Sequence, residues 1–190
     1  MIIGIAMLFS STIFLFLFLP AVLLGYFLLP RSLRNLFLLL ASLFFYAWGE
    51  MFYAAIILVS IGINYTMTRM MGISPPGSRK RTLLMITIGL NLALLGWFKY
   101  ANFMADNINL VLRLWDGPAI HLDPVHLPIG ISFFTFQALS YVIDAYLGRV
   151  AVQKRMVDLA LYIALFPQLI AGPIVRYRDI AAEIASRHID

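Results

Sequence analysis

The chain has 190 residues, of which 62% are apolar and only 12% charged, where a soluble domain carries roughly half and a quarter. A domain of this size cannot bury so much apolar surface in water, so the composition excludes an ordinary soluble fold and requires a lipid solvent. The net charge of +5 does not imply nucleic acid, because the basic residues sit in short gaps between apolar runs, and the absence of cysteine excludes disulfides, thiolate metal sites and Cys nucleophiles.

The first apolar block, about 9–29, holds Pro20 and Gly25 and stops at Arg31 and Arg34. With no basic residue before it and no small-residue cleavage pattern after it, it reads as a retained signal-anchor helix, with 1–6 as a separate extension. A second block, 36–48, and a third, 52–67, are divided at Gly49-Glu50. Both are shorter than the ~20 residues of a perpendicular span. Arg69 and the cluster Arg79-Lys80-Arg81 then bracket a Gly/Pro/Ser turn. The fourth block, 82–98, ends in Trp97, Phe98, Lys99 and Tyr100, an interfacial belt. Residues 101–126 read as one long polar loop with a turn at Trp115-Asp116-Gly117-Pro118. The fifth block covers 127–147 and the sixth about 159–175, and the tail 176–190 is amphipathic. Together these predict an all-α polytopic membrane protein of five to six helices, a single unit without internal repeats.

Orientation follows from the charges. Setting Arg31/Arg34, Arg69–Arg81 and Arg149–Arg155 on one side collects nine of the fourteen basic residues there, leaving Glu50 and the 101–126 loop on the other. The positive-inside rule makes the first side cytoplasmic and the N-terminus outside. A full sixth crossing would carry Arg176 and Arg178 outside. A segment broken at Pro167 and at Gly172-Pro173 could instead re-enter and return.

The fifth and sixth blocks carry the polar punctuation. Gln137, Ser140 and Asp144 share one helical face, and an ionisable group within a span is costly. Asp144 either belongs to a site or pairs with Arg149 or Lys154 near the interface. Gln168 lies between Pro167 and Gly172-Pro173, where freed backbone groups either line a polar pocket or are satisfied by neighbouring helices. The lone histidines His121, His126 and His188 and the absence of ligand spacing predict no bound metal, and no phosphate-binding loop or cofactor motif is present.

The run LPIGISFFTFQALSYVIDAYLGRV (127–150), followed by FPQLIAGPIVRYRDI (166–180), resembles the membrane-bound O-acyltransferase family, and within it the alginate O-acetyltransferase branch. The upstream pieces MLFSSTIFLFLFLP, RNLFLLLASLFFYAWGE and GWFKYANFMADNIN agree in order. The resemblance implies helices around a membrane tunnel and transfer of an acyl group, usually acetyl, to hydroxyls of an envelope or exported polysaccharide. Acetyl-CoA would be a donor, as substrate rather than bound cofactor. Polysaccharide, membrane lipid and acetyltransferase subunits of an envelope complex would be partners, in a bacterial cytoplasmic (inner) membrane. It also implies that the chain is the family's N-terminal portion, since the family's histidine lies beyond the second motif. None of the three histidines occupies that context, so no catalytic residue is assigned. Gln137, Ser140, Asp144, Gln168 and Arg176 are the expected tunnel or support residues. Pro128, Gly130, Pro167, Gly172 and Pro173 are the expected backbone shapers. The alternative is a non-catalytic membrane scaffold of a polysaccharide-modifying complex. A transporter is disfavoured by the lack of paired broken helices in two related halves.

Overall fold

The computed structural model describes residues 11–115, 117–172 and 175–185. The expected extension 1–6, Asp116 of the turn, Pro173 and His188 lie outside the described residues. The described chain is helical, without strands, and three stretches are long and apolar enough to cross a bilayer.

The first block folds as a widened π-turn, Phe14–Phe18, running into helix α1, Leu19–Leu28. Pro20 stands in the first turn of α1. Its missing N–H leaves the carbonyl four residues back without its usual donor, so the turn opens there and Leu19 N–H bonds Phe14 O instead. Leu29 is held extended (ψ 145°) ahead of Pro30, because proline's ring disfavours helical backbone in the residue before it. The chain reverses there, and α1 packs antiparallel to the start of α2. The Arg34 guanidinium lies 4.9 Å from the Tyr26 ring centre, and Phe14 packs edge-on to Phe45 at 5.4 Å.

Helix α2 runs unbroken from Arg31 to Ile73, which corrects the sequence expectation of two blocks parted at Gly49-Glu50. It still forms two spans, because it cannot be straight. Asn35 Nδ2 donates to Asp158 Oδ1 at 2.9 Å, while a Cβ on Gly72 would lie 3.0 Å from the Val152 side chain. A straight helix would separate residues 35 and 72 by about 55 Å. The short chain between 152 and 158 allows no more than about 40 Å. The fold-back is centred near Gly49: Tyr46 OH donates to Ile129 O at 3.0 Å and the Tyr53 ring packs tilted against His126 at 5.2 Å, on either side of it. The glycine bends the helix without a loop. Both ends of α2 therefore lie at one end of the molecule, as the charge pattern required, and its middle lies at the other.

Helix α3, Ser78–Arg113, follows a Pro75-Pro76-Gly77 turn. It continues fifteen residues past Phe98, so 101–113 is helix rather than the polar loop read from sequence. α2 and α3 are joined inside the bundle by a reciprocal amide pair. Asn64 Nδ2 donates to Asn91 Oδ1 at 3.0 Å and Asn91 Nδ2 donates to Asn64 Oδ1 at 2.9 Å. Each amide also donates to a carbonyl one turn back in its own helix, Ser60 and Thr87, so both side chains are satisfied in a medium that offers no water.

Helix α4, Ile131–Tyr146, ends in a Schellman turn: Gly148 sits at φ 72°, and its N–H and that of Arg149 return to the Ala145 and Asp144 carbonyls. Lys80 reaches across from α3 to the Tyr146 carbonyl at 3.1 Å, a cation at a helix C-terminus. Helices α5 (Met156–Ala164), α6 (Phe166–Ala171) and α7 (Tyr177–Ala185) complete the chain. The break between α5 and α6 falls at Leu165 (ψ 117°), and Pro167 stands in the first turn of α6 rather than at the break. α6 carries Phe166 into an aromatic cluster with Phe14, Phe18 and Phe45. The chain then turns back: Val175 O meets Tyr162 OH at 2.8 Å, Tyr177 OH accepts from Gln153 at 2.9 Å, and Ile184 O accepts from Asn35 at 2.9 Å. The sixth block returns to the end it left.

Candidate functional site

The two polar-punctuated segments meet backbone to backbone. Gly130 caps α4 in the left-handed region at φ 77°, and a Cβ there would lie 2.7 Å from Leu169 O of α6. Only glycine tolerates both the backbone angle and the approach. Pro128, buried beside it, offers its carbonyl to Ile131 N–H at 3.3 Å and starts the helix. Gly172 closes α6 with equally little room: a Cβ would lie 2.6 Å from Gln168 Cα. Pro167 is exposed, and its effect is confined to the backbone it stiffens.

This contact assembles a polar cluster within the apolar bundle. Gln137 is 1% exposed, and its Nε2 points to Gln168 Oε1 at 3.4 Å. Ser140 Oγ donates to Gln137 O at 2.9 Å and lies 3.0 Å from Tyr162 OH. Tyr162 in turn donates to Val175 O, a carbonyl released by the break between α6 and α7. Gln137 Oε1 is buried and has no hydrogen-bond partner among the described residues. A buried acceptor left without a donor costs on the order of 1–3 kcal/mol, and this one stands among Ser140, Tyr162 and Gln168. The groups of this cluster are hydroxyls and amides, which orient a ligand by hydrogen bonds. None takes up a proton near neutral pH.

The sequence-predicted residues divide. Gln137, Ser140 and Gln168 are brought together. Asp144 lies two turns away from Gln137 at the basic end, where Arg149 Nη1 meets its Oδ1 at 3.3 Å. Arg176 is exposed, and no described side chain bonds it. His121 is exposed in the segment after α3, and His126 packs against Tyr53, so neither reaches the cluster.

Several residues that hold the site together were passed over in the sequence. Tyr162 belongs to the cluster. Ser42 Oγ accepts from Phe166 N–H at 3.2 Å, satisfying a donor freed by the break at Leu165. Gln153 braces the returning chain: its N–H donates to Tyr141 OH, its Nε2 to Tyr177 OH, and its Oε1 accepts from the next two backbone amides. Asn35 ties α5 to α7. Their common signal is a hydrogen-bonding side chain within or beside an apolar run. That signal is weaker than an ionisable group within a span or a Gly/Pro break.

Among curated proteins, the chain is 40% identical over 182 residues to a Pseudomonas putida protein named "Probable alginate O-acetylase AlgI", covering 95% of this chain and 38% of the relative. A Pseudomonas aeruginosa protein of the same name is 39% identical over 184 residues, covering 95% and 35%. A Helicobacter pylori protein named "Peptidoglycan O-acetyltransferase" is 34% identical over 213 residues, covering 96% and 39%. The chain thus spans 35–39% of the length of these relatives. No family model matches it, and no solved structure does.

Proposed function

The chain belongs to the membrane-bound O-acyltransferase family, in its alginate O-acetylase-like branch, and from that premise we propose that it forms part of the wall against which an acceptor hydroxyl is held during acyl transfer. The reaction is transfer of an acetyl or related acyl group from a donor such as acetyl-CoA to a hydroxyl of a cell-envelope polysaccharide. Alginate-like polymers and peptidoglycan, the substrates in the relatives' names, are the acceptor classes. The protein works in the bacterial cytoplasmic membrane with its N-terminus outside, because nine of its fourteen basic residues then face the cytoplasm.

The observation that carries this reading is the unpartnered Gln137 Oε1, buried where α4 meets α6, with Ser140, Tyr162 and Gln168 around it. An alcohol attacks an acyl carbon only when it is held in line and its proton is taken. A fixed amide oxygen accepting the hydroxyl's hydrogen bond supplies the first requirement. The second needs a group with a pKa near neutrality, which this cluster does not contain, so the base comes from outside it.

The test is made on the chromosomal gene of the producing bacterium. Gln137→Leu keeps the bulk and removes the acceptor. Ester-linked acetyl on the envelope polysaccharide is measured against the amount of protein in the membrane. The expected result is a fall of about tenfold, the equivalent of one lost buried hydrogen bond. Full acetylation at a normal protein level would refute the role.

A further inference from the structure

The outer part of α3 is too long and too apolar for a helix that leaves the membrane at its aromatic belt. In the span, α3 turns Asn91 and Leu95 inward and leaves Met85 and Leu92 exposed. With 3.6 residues per turn, the exposed side recurs at alternating steps of three and four. That stripe does not stop at Lys99. It continues on the same side through Phe103, Leu110 and Leu114, all strongly exposed.

A second side, roughly 100° round the helix from the stripe, is continuous as well. Beyond Leu95 it bears Asn102 and Asn109, and each clamps one residue of the extended segment after α3 by two hydrogen bonds. Asn102 donates to Val125 O at 2.8 Å and accepts from Val125 N–H at 2.9 Å. Asn109 does the same with Ile120, at 2.9 and 2.7 Å. The arm thus has a polar side clamped to the following segment and an exposed apolar one.

From Met85 to Leu114 the stripe is about 44 Å long, against about 30 Å of hydrocarbon. An upright α3 would leave the last third of the stripe bare in water, a patch of the kind soluble surfaces avoid. A helix longer than the bilayer is thick responds by tilting or bending, and an amphipathic segment settles with its apolar side in the acyl boundary.

We propose that the outer third of α3 with the turn that ends it, residues 100–115, lies in the lipid of the leaflet opposite the basic end, with its apolar stripe in the acyl boundary and segment 117–126 riding above it at the water surface. The occupant of the stripe is lipid because the stripe continues, past Lys99 and Asn107, the exposed apolar face of the part of α3 that is apolar enough to span. The inference is independent of acyl transfer.

The native chain has no cysteine, so single labels are unambiguous. Phe103→Cys, Leu110→Cys and Leu114→Cys are spin-labelled one at a time in the full chain, in vesicles of phosphatidylethanolamine and phosphatidylglycerol. Ser78→Cys at the basic end gives the aqueous reference. Collision rates with oxygen, which concentrates in lipid, are compared with those of a neutral nickel chelate, which stays in water. The expected result is an oxygen-to-nickel ratio severalfold above the reference at all three positions. A ratio at or below the reference at Leu110 and Leu114 places the arm in water and overturns the proposal. Low collision with both reagents means that protein covers the stripe, and overturns it equally.

Discussion

Gly130 and Leu169 touch across the junction of α4 and α6 so closely that one methyl group on the glycine would stand 2.7 Å from the leucine carbonyl oxygen. The glycine's φ of 77° is the second constraint on the same atom. Two segments separated by nearly forty positions in the chain are therefore fixed to each other through backbone, and the Gln137–Gln168 contact is set by that approach.

Gly130→Ala should be among the most damaging single-atom changes in the chain. The left-handed backbone costs an alanine about 1 kcal/mol, and the crowded carbonyl adds to it. A loss of about 2–4 kcal/mol is expected, the range of strained or overpacked sites. Unfolding in mixed micelles measures it. A loss below about 0.5 kcal/mol would mean that α6 can shift freely.

The Asn64–Asn91 pair predicts a non-additive cycle. Asn91→Leu leaves the Asn64 amide with its partner gone in the bundle interior and should cost about 1–2 kcal/mol. The double change Asn64→Leu/Asn91→Leu should cost less than the two single changes summed, because no polar group is left unpaired. Additive losses would show that the reciprocal bonds contribute nothing.

Asn35 is the one described side chain bonded to both Asp158 and Ile184. Asn35→Leu should loosen α7 while leaving the bundle folded. Trypsin added from the basic side should then cut at Arg178 severalfold faster than in the native protein. Unchanged cleavage with an intact bundle would assign the hold on α7 to Gln153 and Tyr177 instead.

Asp144 and Arg149 predict a small effect. The arginine side chain is 53% exposed, so solvent screens the pair, and Arg149→Gln should cost less than about 1 kcal/mol. Acetylation in the same strain should be nearly normal. A loss comparable with that of Gln137→Leu would draw Asp144 into the site despite its distance from the cluster.

Much of the architecture could be read from residue chemistry, because in a membrane apolar blocks and charges sort themselves by solvent. The composition required spans. The basic clusters required both ends of α2 on one side, while the sixth block, which the sequence leaves to cross or to re-enter at Pro167 and Gly172-Pro173, breaks instead at Leu165 and turns back. Gln137, Ser140 and Gln168 stood out as polar groups without a solvent reason to be there. Boundaries were less legible. Gly49-Glu50 divides two apolar blocks in the sequence, yet bending a helix at glycine joins them while keeping the backbone hydrogen bonds that a loop would give up. Residues 101–113 looked like a loop because of their Asp and Asn content. The structure turns Asn102 and Asn109 toward the extended segment that follows α3, and the local pattern contains no sign of that partner.

What the sequence by itself determined is the solvent: a chain that must cross lipid repeatedly, with its charges partitioned between two sides and its polar spans singled out as the wall of something. The tertiary structure decided which of those polar groups meet. Gln137 and Gln168 come together, with Tyr162 beside them, only because Gly130 lets α6 approach and Ser42 satisfies the donor exposed by the break. Asp144, on the same face of α4 as Gln137, goes instead to the interfacial Arg149. Facing is a local property set by helical periodicity. Meeting depends on the packing of segments far apart in the chain, and no periodicity encodes it.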